Sequence, residues 1–253
     1  MYKGGSILKT TDKKPRVLSH INTEVTFQYL EQKFNISKEN PEIFKTAKRA
    51  LNQATEIWQP KAVYRWVKFE NTGINNLGYI VQDSGDVLTF DFGYSFQFLT
   101  HARYALISVY TAGQGFEKGP KHTSSKVDLL EAYFHDLIGL AVLDQVGQRI
   151  KEIAEEHARK LGWGVSPFLS PGSVHGWNLE EQAQLCFMLP IEKIDVQLQK
   201  GAVFYPLKTV SCLIGVGPEY SAAHVGTTCQ VCRKNDVCLM KQNQIVGPSC
   251  LQS

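Results

Sequence analysis

The sequence has no long apolar run. Nowhere in its 253 residues does a stretch approach the roughly 18 consecutive apolar positions that a membrane-spanning helix needs. No membrane partner is expected. The opening segment, Met1 to Arg16, is rich in Lys, Gly and Thr and lacks an apolar centre, so no secretory signal is expected either. A cytoplasmic location with reduced thiols is the expectation. Charge of one sign is also scarce. Lys and Arg number 27 against 24 Asp and Glu, a formal net charge of +3, and the basic residues are scattered. That balance calls for no nucleic-acid partner. Internal repeats and low-complexity segments are missing. Gly113-Gln114-Gly115, Gly162-Trp163-Gly164 and Gly215-Val216-Gly217 all stop short of G-x-G-x-x-G. There is no Walker A pattern, no H-E-x-x-H and no G-x-S-x-G, so the common nucleotide, zinc-protease and hydrolase signatures are excluded. No catalytic residue is named by the sequence.

What is present reads as ordinary globular composition: 43% hydrophobic and 20% charged residues. Residues 1–22 read as an arm or edge strand. A short helix is predicted over Thr23–Lys33. A better-signed one follows, with Asn40 as cap, Pro41 at the first position and Glu42 at the positive end of the dipole. Ala62–Glu70, Leu77–Gln82 and Tyr104–Thr111 read as strands. Phe90, Phe92, Tyr94, Phe96 and Phe98 alternate, which predicts a strand with one buried face, with a short helix through Phe96–Ala102 as the alternative. A long helix is predicted from about Lys126 to Leu161, stopped by Gly162. Asn178 is placed as the cap of another helix, and strands are predicted at Ile194–Gln199 and Val203–Val216. Strands and helices do not alternate strictly, so the fold class is α+β, with an antiparallel or mixed sheet and flanking helices.

Six cysteines are present, and four of them fall in the last 25 residues. Cys186 and Cys212 lie within apolar patterns and read as small core residues. Cys229-x2-Cys232-x5-Cys238-x11-Cys250 is different: four thiolates close a tetrahedral zinc site or hold an iron–sulfur cluster. The wide spacing to Cys250 favours the cluster, with zinc as the alternative. Arg233, Lys234 and Lys241 nearby favour the ionised thiolates. A tail of unliganded thiols is the competing reading.

The second unusual segment is Ser170-Pro171-Gly172-Ser173-Val174-His175-Gly176-Trp177. Pro-Gly sets a tight turn. It leads to a helix start whose free N–H groups could face a carboxylate. On residue chemistry alone, a plain connection between elements is the favoured reading. The loop, Trp177-x-Leu179-Glu180-x-Gln182, and Pro206-x-Lys208-Thr209-Val210-Ser211 in a following strand together resemble the reactivation domain of cobalamin-dependent methionine synthase. They are more similar still to the stand-alone proteins that share that domain. The similarity is sharpest over residues 165–217 and extends loosely back to about residue 24.

The resemblance implies an α+β fold with a twisted antiparallel sheet. It implies a division into an arm (1–22), a reactivation-type domain (23–217) and a cysteine-rich tail (218–253). It also implies a task. Corrinoid cofactors work through Co(I), which occasionally oxidises to inactive Co(II); the reactivation domain docks on the corrinoid and presents S-adenosylmethionine, and methyl transfer traps the re-reduced metal. Carried onto this chain, the ligand-binding residues would be Ser170, Pro171, Gly172, Ser173, Trp177, Lys208 and Ser211. The partner would be a corrinoid-binding protein or methyltransferase. Two positions depart from the family motif. Phe168 stands where the family has Arg, and Ser173 where it has Tyr. Phe cannot make a bidentate contact to a ligand carboxylate, so corrinoid docking is implied more directly than S-adenosylmethionine binding. Two classes of function follow: an accessory protein for reductive activation, relaying an electron through a tail cluster, or a non-catalytic module that binds a corrinoid protein, with zinc or nothing in the tail. An S-adenosylmethionine-binding methyl-donor domain is a further option.

Overall fold

The computed structural model describes residues 14–34, 36, 40–72, 76–81, 85–118, 129–173 and 177–227. Nine strands form within it: β1 (Arg16–Leu18), β2 (Lys61–Asn71), β3 (Leu77–Val81), β4 (Val87–Asp91), β5 (Tyr104–Thr111), β6 (Gly164–Val165), β7 (Gln197–Gln199), β8 (Val203–Tyr205) and β9 (Thr209–Gly217). The helices are α1 (Phe27–Phe34), α2 (Pro41–Ala54), α3 (Gly115–Lys118), α4 (Leu129–Leu161) and α5 (Gln182–Phe187). The main sheet runs β4-β3-β2-β5-β9-β6, with β1 paired to the start of β2, and every ladder in it is antiparallel. β7 and β8 form a separate hairpin. The α+β class is borne out.

The strand period of two sorts side chains into two cores. Along β2, Ala62, Tyr64 and Trp66 face one hydrophobic cluster, and Val63, Val67 and Phe69 face the other. β5 divides the same way, with Leu106 and Tyr110 on one side and Ala105, Ile107 and Val109 on the other. The first cluster is closed by α1, α2 and α4, which contribute Leu30, Ala47, Ala50, Phe134, Ile138 and Val142. The second is closed by Phe90, Phe92, Trp177, Leu185 and Ile194. Burial on both faces explains why β5 reads as an almost continuous apolar run.

Several expectations hold closely. The Asn40 side chain accepts from the N–H groups of Glu42 and Ile43 at 3.1 and 3.2 Å, with Pro41 opening α2. Gly162 ends α4 at a φ of 67°. Other expectations change. The strand expected over Ile194–Gln199 is confined to β7, because Ile191–Ile194 winds into a 3-10 turn and Asp195 takes a left-handed backbone. The aromatic alternation continues past the strand: β4 stops at Asp91, and Gly93–Phe98 winds into a 3-10 turn. The cause is local. Gly93 takes a φ of 50°, and its N–H donates to the Asp91 carboxylate at 2.9 Å. The single strand expected over Val203–Val216 is also broken, by Pro206 and its neighbours, into β8 and β9. No helix among the described residues is long and apolar enough to cross a membrane.

After β9 the chain does not leave the body. The Tyr220 hydroxyl donates to the Phe98 carbonyl at 2.6 Å, and the Val165 N–H donates to Ala222 at 2.9 Å. Val225 is buried in the first core. Its N–H donates to Glu155 of α4 at 2.8 Å, and the Phe168 N–H donates to Gly226 at 3.0 Å.

Candidate functional site

The 170–173 loop is carried along the outer edge of β9. Val165 pairs with Val216, and Leu169 exchanges both backbone hydrogen bonds with Leu213, at 3.1 and 2.9 Å. Between them the Ser166 hydroxyl accepts from the Gly215 N–H at 2.8 Å. This edge sets where the loop turns. Pro171 and Gly172 make the turn, with Gly172 at a φ of 75°, a backbone state that a side chain resists. The Gly172 N–H donates to the Trp177 carbonyl at 2.9 Å, which closes the loop. Leu179 packs over it, so closely that a β-carbon on Gly172 would stand 3.0 Å from the Leu179 Cδ1.

The turn and the first residues of β9 face each other across a cleft of about 250 Å³. Ser170, Ser173, Gln182, Thr209 and Ser211 supply its polar lining. Leu179, Val203, Phe204 and Leu207 supply most of its apolar lining. Among the described residues that line it, none carries a charge. Gln182 ties the wall together. It accepts from the Ser211 hydroxyl at 2.8 Å, and its own amide donates to the Ala202 carbonyl at 2.7 Å. Ala202 sits at a φ of 56°, a strained state for a non-glycine residue, and this bond holds it there. Thr209 is the exception to this pairing. It is 8% exposed, and its hydroxyl oxygen is buried without a hydrogen-bond partner.

The residues singled out in the sequence divide in two. Ser170, Pro171, Ser173 and Ser211 come together around the cleft. Gly172 shapes the turn, and Trp177 lies beneath it, 1% exposed, its ring 5.0 Å from Phe92 in the second core. Lys208 turns away: its ammonium pairs with Asp136 of α4, and its stem lies against Gly139. Sequence reasoning missed Gln182, Thr209, Leu179, Val203, Phe204 and Leu207 as lining residues. Gln182 and Thr209 stood inside the motifs; Val203, which follows a hairpin turn, gave no signal of its own.

The helix start after the loop is not the anion site that the sequence suggested. The Asn178 side chain caps nothing; its carbonyl starts a 3-10 turn by accepting from the Glu181 N–H at 3.3 Å. Glu180 and Glu181 occupy that turn. Partial burial and the neighbouring Asp91 charge raise the Glu181 carboxyl above its usual range. Such a terminus repels a carboxylate. Phe168, at the position where the resembled family has Arg, is 7% exposed and packs into the first core, with the Lys151 ammonium 5.7 Å from its ring centroid.

Cys186 and Cys212 are both buried and unpaired, as their apolar contexts predict. Burial pushes the Cys186 thiol up to about 12 and the Cys212 thiol higher still. Neither is a ready nucleophile at neutral pH. Among the described residues no group of three or more His, Cys, Asp or Glu side chains could hold a metal ion. Cys229, Cys232, Cys238 and Cys250 lie outside the described residues.

No family model and no curated protein matches the chain. Among solved structures the chain is similar to the crystal structure of the MetH reactivation domain bound to AdoHcy. The identity is 15% and the TM-score 0.47, over 83% of this chain and 81% of that one.

Proposed function

We propose that this chain is an accessory protein for the reductive activation or handling of a corrinoid methyltransferase system, and that the cleft between the 170–173 loop and β9 receives part of the corrinoid on a partner protein. One observation carries this reading: two motifs about 35 residues apart in the sequence, both resembling the reactivation domain, meet at one cleft. Size and polarity say what the cleft takes. At about 250 Å³ it falls below the usual size for a whole small-molecule ligand. It suits one arm of a larger ligand presented by another molecule. Its lining of hydroxyls, one amide and apolar carbons suits a neutral hydrogen-bonding group. Corrinoids carry carboxamide arms of that kind. S-adenosylmethionine carries a carboxylate and an ammonium, and the uncharged lining with Phe168 in place of the Arg favours it least.

The division we propose keeps an arm over residues 1–22, a domain over 23–217 and a tail over 218–253, with β1 of the arm and the first residues of the tail, to Thr227, packed on the domain. In the tail, Cys229, Cys232, Cys238 and Cys250 would hold an iron–sulfur cluster, or alternatively zinc. Four thiolates fit either group by donor chemistry. A cluster would supply an electron at low potential; zinc would make the chain a binding module only.

Two measurements on the full chain, purified without oxygen, test this. Free cob(II)alamin should show a saturable change in its absorption when titrated with the protein, and S-adenosylmethionine should give no heat in calorimetry. Iron with sulfide in the tail supports the electron relay, and zinc alone supports the binding module. Unchanged cob(II)alamin spectra up to millimolar protein, together with a strong S-adenosylmethionine signal, would sink the corrinoid reading.

A further inference from the structure

A second cavity, of about 480 Å³, lies between the segment after β1 and the middle of α4. It falls within the usual size for a whole small-molecule ligand, which the cleft does not. It is also a different place. The cleft is lined by Phe204 of the second core, whereas Leu18 and Ile21, which wall the cavity, pack against the first. The two sides of the cavity are pinned to each other. The Gln145 side chain of α4 accepts from the Glu24 N–H and donates to the Glu24 carbonyl, both at 2.8 Å. Pre-organisation of this kind lowers the cost of binding.

Along α4, Gln148, Arg149 and Glu152 share one helix face with Gln145 and line the cavity. Both ion pairs of Arg149 use the same nitrogen: Nη1 lies 3.1 Å from Glu152 Oε2 and 3.4 Å from Glu156 Oε1. These contacts orient the guanidinium and leave its other edge open. Nε and Nη2 make no contact among the described residues. Together they form the side fork that takes a carboxylate through two parallel hydrogen bonds. One helical turn on, the Glu152 Oε1 is likewise without a contact among the described residues. A donor fork and a carboxylate oxygen thus stand side by side. A phosphate or a dicarboxylate would meet Glu152 and Glu156 as like charges. A ligand with one charge of each sign satisfies both open groups.

We infer that this cavity binds a free α-amino acid with a bulky apolar side chain. The ligand carboxylate takes the Nε–Nη2 fork of Arg149, its ammonium takes the Glu152 Oε1, and its side chain lies along Leu18 and Ile21. The close spacing of the two groups on α4 selects two charges attached to one carbon, as in an α-amino acid, over the distant termini of a peptide. His20 and the amides of Asn22 and Gln148, which bond to nothing among the described residues, complete the polar rim.

Titration of the full chain with L-phenylalanine, read by ligand-observed NMR and by calorimetry, tests this. Saturable binding is expected in the millimolar range or below. 3-Phenylpropionate, which lacks the ammonium, and phenethylamine, which lacks the carboxylate, should each bind at least about tenfold more weakly. Arg149→Gln should weaken phenylalanine by about the same factor or more. Arg149→Lys, which keeps the charge and loses the fork, should not restore it. Glu152→Gln should weaken phenylalanine and leave 3-phenylpropionate no weaker. Arg149 and Glu152 are both about half exposed, so the variants should melt within a few degrees of the wild type. Thr209→Val, in the cleft, should leave phenylalanine binding unchanged. No saturation in the millimolar range overturns the inference, as does equal binding of 3-phenylpropionate. Phenylalanine binding that survives Arg149→Gln overturns the placement. None of these readouts uses cob(II)alamin, so their failure and the failure of the corrinoid reading are told apart.

Discussion

A buried hydroxyl without a partner costs about 1–3 kcal/mol, and Thr209 keeps one at the wall of the cleft. If a ligand satisfies it, removing the hydroxyl should separate binding from stability. Thr209→Val should leave the urea midpoint unchanged or raise it slightly, by up to about 1 kcal/mol. Binding of cob(II)alamin should weaken about tenfold, the loss of one hydrogen bond to a neutral group. Lower stability with unchanged binding would mean that the hydroxyl serves only the fold. Asp144 offers a second residue-scale test, far from the cleft. Burial would raise its carboxyl, but the Tyr29 hydroxyl at 2.6 Å, Lys33 at 2.9 Å and the Lys151 charge together hold it below its usual range. A folded value below the unfolded one adds stability above about pH 4, lost as pH falls through the folded value. Both partners of the Lys33 pair are more than 40% exposed, so the contribution is about 1 kcal/mol or less. Asp144→Asn should therefore lower the urea midpoint modestly at pH 7, and the gap to the wild type should close in acid.

At the scale of elements, α4 carries two glycines that cost helix stability for different reasons. A β-carbon at Gly147 would stand 2.7 Å from the hydroxyl of Tyr110, whose ring is buried in the first core. At Gly139 it would meet the outer methylenes of Lys208 at 2.4 Å, and a lysine can swing aside. Gly147→Ala should destabilise by about 1–3 kcal/mol, because overpacking outweighs the helix gain of about 1 kcal/mol. Gly139→Ala should come out near neutral in the same denaturation experiment, since the Lys208–Asp136 pair is displaced and the Phe116 ring, 3.2 Å from the new carbon, has to give by only a few tenths of an ångström. Two glycines inside a helical pattern do not say which neighbour yields; the packing decides that. The same limit runs through the other elements. Asn40, Pro41 and Glu42 announce α2 because cap chemistry is local. Tyr104–Thr111 announces β5 because two-sided burial leaves an apolar run. The turn at Gly93 was hidden under an aromatic alternation that local φ and one Asp91 bond interrupt. The cleft was half legible. Ser170, Pro171, Ser173 and Ser211 were found through motifs, whereas Val203 and Leu207 arrive through the folding of β7, β8 and the chain after them, which no short pattern encodes.

For the whole molecule, the question is where the body ends. The resemblance implies a domain that ends at Gly217. The packing continues for ten residues more. Tyr220 and Val225 are held in place, and Val165 and Phe168, both largely buried, rely on Ala222 and Gly226 as acceptors. Burying a side chain such as Val225 is worth about 1.5–3 kcal/mol. Orphaning two buried N–H groups costs about 1–3 kcal/mol each. A chain ended after Gly217 should thus lose on the order of 5 kcal/mol, a large share of the 5–15 kcal/mol that holds a typical domain together. Its melting temperature should fall by roughly 10–20 °C. A chain ended after Thr227 keeps every one of these contacts, and without metal it should melt within a few degrees of the metal-free full chain. It should also lose all the iron or zinc that the full chain carries, because Cys229 and the three cysteines beyond it go with the cut. Equal melting of the two shortened chains would show that residues 218–227 add nothing to the body, and metal retained by the longer one would place the ligands outside the cysteine-rich segment.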